Sequence, residues 1–246
     1  MKKTQLFASV AEFYDYSMRN NCDYAGWANY VTKIINDNVK DGKTGIDLAC
    51  GSGYFTRALK RAGYIVTGID ISPEMLTSAQ NITAKENMFI PYVVGDMTAL
   101  KFNGKVDFVT AINDAINCLP DTKLERAFKS ISSVLKKGGI FHFDVSSEYK
   151  LLNVISSNTF CEDDEDYSYI WFNKPYDDRV EMDMSVFLRE GDKYLKRESC
   201  LTEYIHKKER LVQALEKCGF EIISVHGDMG EYSNQSHRIN ITAKKV

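Results

Sequence analysis

Apolar residues along this chain fall into short, nearly continuous blocks, separated by longer stretches in which they recur every third or fourth position. The blocks at 45–49, 65–70, 90–95, 106–112 and 140–145 are too short for helices and carry few polar interruptions, which predicts strands covered on both faces. Because helical spacing fills the intervals between them, the pattern predicts a doubly wound α/β fold. Pro91 lacks the N–H that a central strand donates, so the third strand belongs at a sheet edge or begins there. Beyond a helix at 207–217, further blocks at 220–226 and 239–244 predict the last two strands.

The period changes between residues 146 and 206. Val180, Met182, Met184, Val186 and Leu188 occupy alternate positions, with Glu181, Asp183, Ser185 and Arg189 between them, as in a half-buried strand. Aromatic and β-branched runs at 167–174 and 193–205 flank it, with turn residues at 174–178 and 190–192. A three-stranded antiparallel insertion is expected. Before residue 45, helices are expected at 7–19 and 24–38, with Phe13, Tyr14, Tyr24, Trp27, Tyr30, Val31, Ile34 and Ile35 forming an apolar stripe. These divisions predict one domain, 1–246: a helical lid at 1–43, a core from 44–145 and 207–246, and an insertion at 146–206.

Composition narrows the chemistry. The chain has 246 residues, enough for one α/β unit with its own core. Its six cysteines are scattered without a Cys-x-x-Cys pair, and no two histidines stand at metal-ligand spacing, so neither a metal site nor a disulfide framework is expected. No apolar run approaches ~20 residues, which predicts no membrane partner and a cytoplasmic monomer or homodimer. A net charge of −3 argues against nucleic acid. The basic runs Lys196-Arg197 and His206-Lys207-Lys208 read as solvated faces, and the acidic run 162–166, beside Tyr167, Tyr169 and Trp171, reads as a solvated, mobile loop. Gly42-Lys43-Thr44 precedes a strand and lacks the upstream glycine of a phosphate loop, while Gly51-Ser52-Gly53 lacks the spacing of a nucleophile elbow.

The densest chemical signal is Asp47-Leu48-Ala49-Cys50-Gly51-Ser52-Gly53. A strand that ends in a glycine loop lets backbone N–H groups approach a ligand which a Cβ would hold off, and the following helix adds its own free donors. Asp70 ends the second strand, where an acid can accept both hydroxyls of a ribose. The layout is that of a nucleotide-type cofactor site. A dinucleotide fingerprint would need a third glycine where Thr56 stands. Asp47 would repel a pyrophosphate and suits a ligand carrying an ammonium group.

With these residues in order, the chain resembles the class I S-adenosylmethionine-dependent methyltransferases, small-molecule type. The resemblance continues through Ile71-Ser72-Pro73-Glu74-Met75, Gly95-Asp96-Met97 and Asn113-Asp114. It implies a seven-stranded, mostly parallel Rossmann-like sheet closed by an antiparallel pair, with the third strand at the edge. It also implies S-adenosylmethionine as cofactor, held by Asp47, Ala49, Gly51, Gly53, Asp70, Ile71, Met75, Asp96, Met97 and Asn113. Within these, Ile71 would pack on the adenine and Asp96 would accept from its amino group. The segment containing Tyr14, Arg19 and Trp27 resembles the lid of glycine and amino-sugar N-methyltransferases, which implies that these three close over the methionine end, Tyr14 also reaching the reacting atoms. The family's Asn/Asp-Pro-Pro-aromatic motif for nucleobase and glutamine acceptors is absent, since Ala115-Ile116 follow Asn113-Asp114. A small-molecule acceptor is then expected, N-methylation ahead of O-methylation, with Asp114 or Asp144 as base and His142 as a structural histidine. The same motifs would also serve a protein that binds the cofactor or its demethylated product without catalysis.

Overall fold

In the computed structural model, which describes residues 4–5, 23–39, 41–165, 167–228 and 230–246, a two-residue strand β1 (Thr4–Gln5) precedes helix α1 (Tyr24–Asn38). The Asp23 side chain caps α1 by accepting from the Gly26 N–H at 2.8 Å. The core then alternates as predicted: β2 (Thr44–Leu48), α2 (Tyr54–Arg61), β3 (Ile65–Asp70), α3 (Pro73–Lys85), β4 (Tyr92–Val94), β5 (Val106–Ala111), α4 (Asp121–Val134) and β6 (Leu135–Ser146). Ser72 caps α3 through its hydroxyl, and Pro73 occupies the first turn, where its missing N–H costs nothing. The expected residues 7–19, with Tyr14 and Arg19, lie outside the described residues.

A second sheet follows, built from β7 (Thr159–Asp163), β8 (Tyr167–Pro175), β9 (Arg179–Glu190) and β10 (Lys193–Tyr204). The chain then returns to the core through α5 (Lys208–Lys217), β11 (Phe220–Gly227), β12 (Gly230–Glu231) and β13 (Arg238–Lys245). The main sheet runs β12-β11-β13-β6-β5-β2-β3-β4. Strands β2 to β6 are parallel, and β13 lies antiparallel between β6 and β11. Strand β4 is the edge, and Pro91 stands just ahead of it. The two-residue β12 is an eighth strand beyond the expected seven.

The expected three-stranded insertion is a five-stranded sheet, β1-β10-β9-β8-β7. Strand β7 was hidden because it contains Glu162 and Asp163, residue types poor in strands. It is an edge strand, where charges face water and block further pairing. The acidic run is therefore not a loop throughout: Glu162 pairs with Tyr169 in the ladder and accepts from the Tyr167 hydroxyl at 2.8 Å.

Both faces of the main sheet are covered, which is why its strands read as apolar runs. On one face α1 and α2 bury Trp27, Val31, Ile35, Phe55 and Leu59. On the other, α4 and α5 bury Leu124, Phe128, Ile131 and Leu211 against Phe141 and Phe143. Each such side chain contributes roughly 1.5–3 kcal/mol. No helix among the described residues is long and apolar enough to cross a membrane.

Candidate cofactor site

At the carboxyl end of β2 the backbone turns through three left-handed residues, Ala49, Gly51 and Gly53, with φ of 51°, 53° and 77°. Such turns are unfavourable for a residue with a Cβ, and neighbouring groups hold this one. Asp70, ending β3, accepts from the Gly51 N–H at 2.8 Å and from the Ser72 N–H at 2.9 Å. Burial raises the Asp70 carboxyl above its usual range, against the pull of these backbone donors. Behind the loop the fully buried Arg57 donates to the Ser52 carbonyl at 2.7 Å and lies over the Tyr54 ring. Gly53 opens α2 rather than facing ligand: a Cβ there would stand 2.4 Å from the Tyr92 hydroxyl.

Seven of the residues implied by the motifs line one cavity of about 410 Å³: Ala49, Gly51, Asp70, Ile71, Asp96, Met97 and Asn113. That volume is within the range of small-molecule sites. Asp96 caps the short helical turn Met97–Ala99 through the Thr98 N–H at 2.7 Å. Ile71 is 64% exposed, an apolar side chain open to a planar partner. The far wall comes from Cys118 and Leu119 and from Cys200, Leu201, Thr202 and Tyr204 of β10. The insertion thus closes the same cavity that the glycine loop opens. Met75 does not reach it, because the α3 period turns its side chain fully inward, and only its N–H lies at the cap.

Asp47 lies behind the loop. Its oxygens accept from the Thr56 hydroxyl at 2.6 Å and the Thr110 hydroxyl at 3.0 Å. Thr56, the residue that breaks a dinucleotide fingerprint, is thereby a partner of the acid. Burial pushes the Asp47 carboxyl up to about 7 despite the two hydroxyls. It borders a separate pocket of about 20 Å³ with Tyr24, Ser52 and Tyr54, room for one water-sized group.

Beside Asn113 lies a charged cluster. Asn113 and Asp114 are consecutive left-handed residues, φ 62° and 65°, and Asp144 of β6 accepts both of their N–H groups, at 2.7 and 3.3 Å. Arg238 at the start of β13 donates to Asp114 at 2.7 and 3.2 Å and to Asp144, with its guanidinium 5.0 Å from the centre of the Trp27 ring. Lys150 adds a second cation, 3.7 Å from Asp114. Trp27 is therefore buried under Arg238 and does not line the cavity. Asp114 and Asp144, the expected bases, are not in the cavity wall, and both bond Arg238. Burial opposes ionisation of Asp114, but Arg238 and Lys150 overcome it and hold its carboxyl below the usual range. Asp144 is fully buried, with its oxygens on the turn and on Arg238, and burial pushes its carboxyl up to about 6 against the pull of Arg238.

His142 is a structural histidine. Its Nδ1 is 2.9 Å from the Thr242 hydroxyl, its ring meets the Tyr30 edge, and burial pushes it down to about 3, so it stays neutral. His206, read as part of a basic run, is buried with Nε2 2.9 Å from the Leu119 carbonyl. Sequence reasoning missed Arg57, Lys150, Glu203 and Arg238, each of which reads as an ordinary surface charge.

Comparison with known proteins agrees with this geometry. Residues 46–139 match the family model of a methyltransferase domain. YqeM of Bacillus subtilis (strain 168), named as a methyltransferase, is 34% identical over 98% of this chain and 97% of its own length. An S-adenosylmethionine-dependent methyltransferase from Clostridium acetobutylicum ATCC 824 superposes with a TM-score of 0.89 at 30% identity, covering 96% of this chain and 97% of that one. CalS10 of Micromonospora echinaspora, solved with S-adenosylmethionine bound, shares the fold with a TM-score of 0.78 at 17% identity, over 95% of this chain and 97% of that one.

Proposed function

The chain belongs to the class I S-adenosylmethionine-dependent methyltransferases, and from that premise we propose that its acceptor is a small molecule methylated on nitrogen. One observation carries the reading: the cavity that begins at Asp70 and Asp96 ends against β10, so the acceptor must fit between the cofactor's methyl end and the insertion sheet. That space suits a compact molecule rather than a polymer. The local charge supports nitrogen, since among the described residues Asp114, Asp144 and Glu203 face only Arg238 and Lys150. With Glu203 raised to about 8 the empty cluster is close to neutral, and a cationic amine nearby would favour ionisation of that third carboxyl. CalS10, which shares the fold, is an amino pentose methyltransferase.

In this reading Asp70 takes the ribose hydroxyls, Ile71 and Met97 flank the adenine, and Asp96 accepts from its amino group. The water-sized pocket at Asp47 takes the cofactor's amino group. The cofactor supplies a methyl group already activated by its sulfonium, so this chain has mainly to align the acceptor and exclude water. The test is a screen of small amines and small hydroxyl compounds with S-adenosylmethionine, read as S-adenosylhomocysteine released. Turnover with an amine supports the reading. Turnover confined to hydroxyl compounds, protein or nucleic acid overturns it.

A further inference from the structure

Strand β10 has two unlike faces. Leu201 and Glu203 pair with Met182 and Val180 of β9, and that face packs against Leu151 and Ile155. Side chains alternate along a strand, so Cys200, Thr202 and Tyr204 point the other way, into the wall of the cofactor cavity. Thr202 and Tyr204 are half-buried there. Among the described residues neither hydroxyl has a hydrogen-bond partner: Asn117 bonds the Tyr204 carbonyl at 2.9 Å, a backbone contact that leaves the phenol uncommitted. Asn117 also donates to the Ser146 carbonyl and accepts from the Ser146 N–H. Tyr204 is thereby tied to the end of β6, the strand whose Asp144 holds the Asn113 turn.

A half-buried hydroxyl that finds no partner in the chain takes one from the ligand that fills the pocket. Each of these two both donates and accepts, and neither carries a charge, so the pair matches a neutral polar group such as another hydroxyl. Recognition of an anion is not built here. Among the described residues Lys123 is the one cation in the wall. It stands one turn of α4 before Arg126, whose Nε donates to the Thr98 carbonyl at 3.2 Å, and so belongs to the side of the cavity formed by Asp96 and Met97. The wall around the two hydroxyls is otherwise Leu119 and the thiols of Cys118 and Cys200.

We propose that the Thr202 and Tyr204 hydroxyls read the acceptor, and that the acceptor is a small amine carrying at least one hydroxyl of its own. The strand period sets both side chains on the face that closes the cavity, and the bond from Asn117 fixes the height at which they stand. An amine with a hydroxyl supplies the missing partner. An amine without one leaves a half-buried donor and acceptor unmet, which is how a polar pocket rejects the poorer substrate. This rests on the nitrogen reading above and adds to it the group beside the nitrogen.

The test uses pairs of amines that differ by one hydroxyl: 2-aminoethanol with ethylamine, and trans-2-aminocyclohexanol with cyclohexylamine. For the full chain kcat/KM is read as S-adenosylhomocysteine released. In the wild type the hydroxylated member should react better by about tenfold or more. Tyr204→Phe keeps the ring and the carbonyl bond to Asn117, and Thr202→Val keeps the branched shape. At least one of them should reduce that preference by about tenfold, while the Kd for S-adenosylhomocysteine, by calorimetry, stays within about twofold. No preference in the wild type, or a preference that survives both substitutions, overturns the proposal. So does a loss of S-adenosylhomocysteine affinity as large as the loss in kcat/KM, which would assign the hydroxyls to the fold or the cofactor. No turnover of any pair by a protein that binds S-adenosylhomocysteine overturns it as well. Turnover of hydroxyl compounds with no amine methylated is a separate outcome: it overturns the nitrogen reading, and the proposal with it.

Discussion

Asp70 does two jobs with one carboxylate. It fixes the glycine loop through the Gly51 N–H and the α3 entry through the Ser72 N–H, and the rest of its surface lines the cavity. Asp70→Asn turns one acceptor oxygen into a donor aimed at a backbone N–H. An unmet buried hydrogen bond costs about 1–3 kcal/mol, so the Kd for S-adenosylmethionine should rise by roughly 5- to 150-fold, as calorimetry would read. An unchanged Kd would remove Asp70 from the site. Arg238 makes a different case, because it reaches the cavity wall through Asn113 and neutralises two buried carboxylates behind it. Arg238→Met should destabilise the fold by about 3–5 kcal/mol. With the guanidinium gone, Lys150 still faces Asp114 while Asp144 can be neutralised only by a proton, so the loss should be smaller at pH 5 than at pH 8. Urea denaturation at both pH values checks this, and an equal loss at both would count against the ion-pair account.

At the scale of elements, the insertion sheet owes its attachment to a few polar contacts. Asn117 donates to the carbonyls of Ser146 in β6 and Tyr204 in β10, and accepts from the Ser146 N–H. It bridges the two sheets at the cavity's far wall. Asn117→Ala should cost about 1–3 kcal/mol and, through displacement of β10, lower kcat/KM for the acceptor more than the affinity for S-adenosylhomocysteine. Equal losses in both would mean that β10 does not shape the acceptor end. The same contrast explains what the sequence could convey. Glycines, a strand-ending acid and a capped helix are demanded by local backbone geometry, so Ala49, Gly51, Asp70 and Asp96 were legible as neighbours of one cavity, as was the alternation of β9. Register is not local. Arg238 meets Asp144 only because β13 pairs with β6, Arg238 opposite Ser146, and Glu203 joins them from a separate sheet. Met75 and Gly53 stand outside the cavity wall for the complementary reason: they belong to the motif as residues in sequence, while the helix period buries Met75 and the Tyr92 hydroxyl crowds Gly53.

For the molecule as a whole, the buried groups set a pH range for stability. Asp47, at about 7 against an ordinary 3.8, and Glu203, at about 8 against 4.5, are raised in the fold. The folded state therefore binds more protons than the unfolded chain between those limits, and their contribution, complete below pH 4, is lost as pH rises to 8. His142 works in the opposite sense. Its ring titrates at about 3 rather than 6.5, so its contribution, complete above pH 6.5, is lost as the pH falls toward 3. Between pH 4.5 and 6.5 the two raised carboxyls outweigh the one histidine, so the melting temperature of the ligand-free protein should peak near pH 4 and decline on both sides. Glu203→Gln should flatten the alkaline decline, because it removes one of the two raised carboxyls. A scan of melting temperature from pH 3 to 9, with the wild type and the variant, checks both. An alkaline limb of the same slope in every case would show that buried carboxyls other than Glu203 govern it.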